Sequence, residues 1–282
     1  MNIKKATTVI RPRQSWFELN LKQIWSYREL LLLFTLRDIK VRYTQTLLGP
    51  TWILIQPLTF TAVFTTMISG VAGISTGNLP APLFYLAALI IWSYFSQVVY
   101  STSQIFLANE YLFSKIYFPR IIVALSSALS NAVGLSIQLL VLLIMICAYG
   151  FLGKTDGASW RIAIFPMVAL QVVAFSLAVG LCLGSSTAKY RDMAHATPFL
   201  IQIWMFVTPI IYPFSSIPEK YRIVISFLNP LSVIVEESRW CFFGTSSIGA
   251  IHVVSSIAST ATVLIAGLIV FQRVERTVID TI

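Results

Sequence analysis

Between Arg42 and Glu110 the chain carries no Asp, Glu, Lys or Arg. That tract contains two apolar runs, Leu47 to Ser69 and Leu83 to Leu107. A helix crossing a bilayer needs roughly 20 apolar residues at about 1.5 Å rise each, and both runs are long enough. A soluble domain of 282 residues has no use for so long a charge-free stretch. The composition agrees: 57% of residues are hydrophobic and 11% charged, where soluble domains carry about 25% charged residues. The sequence is that of a polytopic membrane protein.

Further charge-poor runs follow at Ile121 to Gly150, Ile162 to Ser186, Thr197 to Tyr212 and Ile248 to Phe271, which makes six spans. Backbone polar groups in lipid must be satisfied within the chain. Runs of this length do so as helices, because barrel strands would be about ten residues long and would alternate. The expected fold is all-α. An even number of spans puts both termini on one side, and the positive charges say which. Of the 20 Lys and Arg residues, Lys154, Arg161, Lys220, Arg222 and Arg239 fall outside, and the other fifteen lie on the side of the termini. That excess predicts cytoplasmic termini. The formal net charge of +9 therefore gathers on the inner face, where anionic lipids, an acidic partner or a phosphorylated substrate would meet it. Topology accounts for this charge, so it does not point to nucleic acid.

The first residues are not expected to form a signal peptide: Lys4 and Lys5 precede a segment too short and too polar to supply an apolar core. Cys147, Cys182 and Cys241 are scattered singly, which gives neither a disulfide framework nor metal spacing. With two histidines in the chain, a histidine-built metal site is not expected. Residues 15 to 46 mix Trp16, Phe17, Leu21, Ile24, Trp25, Leu32, Leu36, Ile39 and Tyr43 with Arg28, Arg37, Asp38, Lys40 and Arg42. This predicts a helix lying in the membrane interface, apolar side in lipid and basic side among headgroups. Three parts follow: a cytoplasmic arm and interface helix over residues 1–46, a membrane domain over 47–273, and a cytoplasmic tail over 274–282.

Two inner loops, at about 109–120 and 189–196, carry large aromatic and charged side chains that a plain turn would not need. They are what a membrane protein offers a soluble partner beneath it. The outer segment from Pro213 to Gly249 is too long for a turn and too apolar for a free loop. Interrupted by Pro218 and Pro230, it predicts short re-entrant or interfacial helices at the outer mouth, gating over about 213–248. Glu236, Glu237 and Arg239 near membrane depth are expected to pair with each other. Ala148 to Thr155 fits a relaxed phosphate-loop pattern, but that mechanism needs a strand before it and a helix after it, and here it would follow a membrane helix. Asp192 and His195 lack an accompanying nucleophile, so acid-base chemistry is not expected of them.

Several segments, taken in order, resemble the membrane subunit of type-2 ABC exporters of polysaccharide, the family that exports O-antigen, capsule and wall teichoic acid. They are Leu36 to Tyr43 with Leu48-Gly49-Pro50 and Trp52, Ser114 to Arg120, Lys189 to Asp192 with His195 and Pro198, Asn229-Pro230-Leu231, and Phe271 to Arg276. The resemblance implies a homodimer with a translocation path at the subunit interface, joined to two separate ATP-binding subunits that hold ATP and magnesium. No cofactor, metal or catalytic residue is expected in this chain. The inner loops become coupling elements, with Glu110, Tyr111, Phe113, Lys115, Tyr117, Arg120, Tyr190, Arg191, Asp192 and His195 as contacts to the ATPase. Asn229, Pro230, Glu236, Glu237 and Arg239 become the outer gate. A lipid-diphosphate-linked glycan would arrive from the inner leaflet of the bacterial inner membrane, with Arg37, Lys40 and Arg42 steadying its diphosphate. An exporter of drugs or lipids would share this architecture. A secondary transporter would need ionisable groups at mid-span, and a membrane glycosyltransferase acidic clusters; the sequence has neither.

Overall fold

The computed structural model describes residues 21–44, 46–77, 79–116, 118–155, 160–244 and 248–278. The readings that involve Lys4, Lys5, Trp16, Phe17 and Tyr117 fall outside these residues. Among the described residues the chain is 84% helical and contains no strand, which decides for a helical bundle over a barrel.

In chain order the helices are α1 (Leu21–Ser26), α2 (Arg28–Tyr43), α3 (Trp52–Val63), α4 (Ala81–Ser103), α5 (Ile105–Ala108), α6 (Glu110–Lys115), α7 (Ile121–Phe151), α8 (Phe165–Lys189), α9 (Met193–Val207), α10 (Glu219–Leu228), α11 (Pro230–Phe243) and α12 (Ala250–Val278). Several begin where their sequence dictates. Pro82, Pro166 and Pro230 sit in the first turns of α4, α8 and α11, where a missing N–H costs nothing. Downstream, α3 continues as a π-helix over Phe64–Val71.

Among the described residues, five helical segments are long and apolar enough to cross a bilayer: Gly49–Val71, Ala81–Ser103, Ile121–Phe151, Trp160–Lys189 and Ala250–Glu275. The fifth of the six expected spans differs. It is the 15-residue helix α9, about 22 Å long at 1.5 Å per residue, short of a hydrocarbon core of about 30 Å. The rest of that run, from Thr208 to Pro213, is irregular. Two other boundaries move as well. The second run breaks after Ser103, so that Ile105–Ala108 forms its own short helix, and the last helix runs past Phe271 to Val278.

Helix α4 is the hub. It packs against α3, α7, α8, α9 and α11, and nearly every residue from Leu83 to Val99 outside one narrow face is buried. Its contact with α8 depends on missing side chains. A Cβ on Gly180 would lie 2.7 Å from the Thr102 Cβ, and one on Gly184 would lie 2.8 Å from the Thr102 carbonyl oxygen. On the other side of α8, a Cβ on Gly267 of α12 would lie 2.7 Å from the Ala178 carbonyl oxygen. Small residues four apart let backbones approach closely where lipid supplies no hydrophobic drive.

Prolines inside helices leave debts that neighbouring helices settle. Pro57 has no N–H for the Ile53 carbonyl, and the Gln138 side chain of α7 donates to that oxygen at 2.9 Å. Pro198 likewise frees the Ala194 carbonyl, which accepts from the Gln104 side chain at 3.3 Å. Replacing Gln138 with leucine preserves volume and strands the Ile53 carbonyl inside the bundle. The expected cost is about 1–2 kcal/mol, read as a lowered melting temperature in detergent; an unchanged melting temperature would show that the carbonyl finds another donor.

Candidate functional site

Two regions of the bundle bring sequence-predicted residues together, one at each end. The first gathers the described beginning of the chain, both inner loops and the last turns of α12. There Phe113 of α6 lies between Phe106 and Phe118, with ring centroids 6.1 and 5.8 Å away, and Phe118 meets Phe34 of α2 edge-on at 5.5 Å. Phe106 in turn packs on Phe271 of α12 at 5.2 Å. Into this aromatic knot the Arg120 guanidinium inserts, 5.0 Å from the Phe113 ring centroid and 5.9 Å from that of Phe106.

Arg120 is only 7% exposed. Its backbone N–H donates to the Glu275 carboxylate at 3.1 Å, and its Nη1 donates to the Glu275 carbonyl at 3.3 Å. Phe113 and Arg120 thus face into the protein, and Arg120 binds the first inner loop to α12, whereas Glu110, Tyr111 and Lys115 are exposed. Tyr111 stands 78% exposed, with the Lys115 ammonium 5.4 Å from its ring.

In the second inner loop Tyr190, Arg191, Asp192 and His195 are all exposed. This loop too is tied to the bundle, through the bond from Gln104, the residue that follows α4, to the Ala194 carbonyl. Each loop therefore presents polar and aromatic side chains outward and is fastened inward to a membrane helix by one side chain. A force applied to either loop would reach α12 or α4 directly.

The three basic residues of α2 do not form one cluster. Arg37 donates to Asp38 at 2.8 Å and lies over the Phe34 ring at 4.8 Å. Lys40 is exposed. Arg42 turns toward the bundle, where its Nη1 donates to Asn131 Oδ1 of α7 at 2.7 Å and reaches Gln97 Oε1 of α4 at 3.5 Å. Between the ends of α2, Leu32, Leu33 and Leu36 are exposed, with Arg28 and Glu29 before them and Lys40 beyond.

The second region lies at the opposite end, in the segment between α9 and α12. Arg239 of α11 is 1% exposed and its guanidinium is enclosed. Its Nη1 donates to the Pro209 carbonyl at 3.0 Å and pairs with Glu236 at 3.2 Å; Nη2 donates to the Ile210 carbonyl at 3.2 Å, and Nε to the Phe84 carbonyl at 3.4 Å. The Phe84 ring lies 3.6 Å from the guanidinium carbon. Irregular backbone at membrane depth is tolerated where protein satisfies it, and this fork of donors does so for the stretch that follows α9.

Glu237, by contrast, does not join the pair: it is buried, and its Oε2 has no hydrogen-bond partner among the described residues. The expected mutual pairing of Glu236, Glu237 and Arg239 is met by Glu236 and Arg239 alone.

Asn229, between α10 and α11, accepts from Trp204 Nε1 at 3.0 Å and donates to Thr208 Oγ1 at 3.1 Å, joining the end of α9 to the start of α11. The Pro230 carbonyl accepts from Ser256 of α12 at 3.2 Å, and Gln171 of α8 donates to that same serine at 2.8 Å. The broken outer segment is thus a hydrogen-bonded unit resting on α12, α8 and α4. Ala148 to Phe151, within the relaxed phosphate-loop pattern, form the last turn of α7. Sequence reasoning did not single out Gln97, Gln104, Asn131, Gln138 or Ser256, and gave Glu275 only as part of the family-like segment Phe271 to Arg276. The one available signal was Pro57 and Pro198 inside apolar runs, each of which implies a donor somewhere else in the fold.

A helical bundle with several bilayer-length apolar helices and two exposed loops fastened to it defines a multi-pass membrane protein. The chain belongs to the ABC-2 type transporter family, whose pattern it matches over residues 29–243. It is 27% identical to the O-antigen export system permease protein RfbA of Myxococcus xanthus, over 79% of this chain and 83% of that protein. A Klebsiella pneumoniae protein of the same description is also 27% identical, over 88% of this chain and 92% of the relative. The polysialic acid transport protein KpsM of Escherichia coli is 24% identical over 72% of this chain and 77% of its own length.

Proposed function

We propose that this chain is the permease subunit of an exporter that moves a lipid-linked polysaccharide from the cytoplasmic side across the bacterial inner membrane. It works as a homodimer with two copies of a separate ATP-binding subunit, which supply the hydrolysis. The observation that carries this reading is the fastening of both inner loops: Arg120 with Glu275, and Gln104 with Ala194. Loops built this way transmit a push from below into α12 and α4, and a permease without its own ATP site needs such a route. The names of the relatives supply the polysaccharide. The charge distribution supports termini in the cytoplasm.

Within this reading Glu110, Tyr111, Lys115, Tyr190, Arg191, Asp192 and His195 meet the ATPase, while Phe113 and Arg120 hold the first loop in shape. Lys40 and Arg42 are the candidate contacts for a diphosphate at headgroup depth, since Asp38 already balances Arg37. The α10–α11 unit closes the outer mouth.

The test is Tyr111→Asp in the complex with the ATP-binding subunit. Tyr111 is exposed, so folding and insertion should persist. Surface glycan and substrate-stimulated ATP hydrolysis should fall about tenfold, the equivalent of roughly 1.4 kcal/mol of lost docking. Export at the parental level would remove the first loop from the coupling role.

A further inference from the structure

Nearly the whole of α4 is buried, and its one open face is polar. Ser93, Ser96, Gln97, Tyr100 and Ser101 follow one another along that face, with Gln97 and Tyr100 exposed, while their neighbours Trp92, Tyr94, Phe95, Val98, Val99 and Thr102 are buried. Spacings of three and four residues place them on one side of a helix. The open side of α7 is the internal comparison: there Leu129, Val133, Leu140 and Ile144 are exposed, and the exposed Ser136 among them returns its hydroxyl to the Ala132 carbonyl. A chain that presents leucine and isoleucine to lipid on one helix does not present glutamine to it on the next.

The polar face is also built into its surroundings. Gln97 Nε2 donates to Ser93 Oγ at 2.8 Å, and Gln138 Nε2 reaches the same oxygen at 3.3 Å. At the other end, Ser101 and Ser127 hydroxyls are hydrogen-bonded, and the buried Asn131 holds Arg42 beside Gln97. One acceptor is left over: Gln138 Oε1 is buried and has no hydrogen-bond partner among the described residues.

We propose that this face of α4, with Arg42 beside Gln97 at its middle, is a wet track that binds the hydroxyl groups of a carbohydrate chain in transit. The ligand assignment rests on the permease reading above; the wetness of the track does not. Hydroxyls both donate and accept, so a row of serine and glutamine side chains offers many equivalent, weak stations. A polymer can move along it without being held at any one of them. The phenol ring of Tyr100 adds an apolar face suited to a sugar ring, and Arg42, beside Gln97, gives the track a positive charge for an acidic sugar or a phosphate.

The experiment uses the complex with its ATP-binding subunits, with Cys147, Cys182 and Cys241 replaced by alanine. Single cysteines at Gln97 and Tyr100 should react with a membrane-impermeant thiol reagent about tenfold faster than cysteines at Leu129 and Leu140, because only the thiolate in water reacts. The lipid-linked glycan purified from the same cells should slow labelling at the two α4 positions and leave the α7 positions unchanged. In the chain with its native cysteines, Gln97→Leu combined with Tyr100→Leu should reduce surface glycan about tenfold with the complex still assembled. Equal, slow labelling on both helices overturns the track. Fast labelling that the glycan leaves untouched, with parental export by the double variant, overturns the carbohydrate assignment. Failure of the parental complex to export glycan, with the labelling contrast intact, would strike the permease reading and leave the track as a path for another polar solute.

Discussion

Gly184→Leu should strongly destabilise the native bundle. The Gly184 position has the Thr102 carbonyl oxygen 2.8 Å from where a Cβ would lie, and backbone cannot swing aside as the end of a side chain can. Helix α8 would have to retreat from α4, and α4 is the element on which α3, α7, α9 and α11 also rest. Overpacking usually costs 1–3 kcal/mol and sometimes more; at a backbone contact on the central helix we expect about 3 kcal/mol. For a chain of this size that lowers the melting temperature by roughly 6–12 °C. Gly184→Ala should show a smaller loss in the same direction. Thermal unfolding of the detergent-solubilised protein measures both, and a Gly184→Leu variant that melts with the parent would mean the two helices are not packed as closely as described.

Arg239→Leu should be comparably damaging for an electrostatic reason. It leaves the Glu236 carboxylate buried without its cation and removes the donor that serves Phe84, Pro209 and Ile210. Breaking one partner of a buried pair costs about 3–5 kcal/mol. Adding Glu236→Gln should recover part of that loss by removing the stranded charge, but not the part due to the three carbonyls. Arg239→Lys should fall between, since an ammonium keeps the charge but lacks a planar fork that reaches several oxygens at once. Melting temperatures in the order parent, Arg239→Lys, double variant, Arg239→Leu are expected. A lysine variant indistinguishable from the parent would show that charge alone holds the outer segment, and that the fork geometry is not needed.

The positions of both substitutions illustrate how differently the two kinds of information behave. The spans were legible because lipid imposes a length and a composition on any segment that crosses it, and those are properties of a linear string. So were the interrupted segment between α9 and α12 and the two unusual loops, since each is a local excess or break in the pattern. The order of short motifs around the spans was enough to indicate the family. What could not be read is which face of each helix does what. Gly184, Gln97 and Gln138 look alike as small or polar residues within apolar runs, yet one admits a neighbouring backbone, one lines an open face and one settles the debt of Pro57.

Charged residues behaved in the same way. Arg37, Lys40 and Arg42 lie close in sequence and take three different surroundings, because positions five apart on a helix point about 140° from each other. Arg120 and Phe113 belong to a loop that reads as a docking surface, yet Phe113 packs between Phe106 and Phe118, and Arg120 grips α12 through Glu275, 155 residues away. The sequence by itself determined that this chain lives in a bilayer and roughly where its helices cross, since this follows from the cost of placing charge and unpaired backbone in lipid. Only the tertiary structure decided which polar groups satisfy one another across helices and which remain open along α4, because hydrogen-bond partners between helices are set by rotation and distance that no linear pattern encodes.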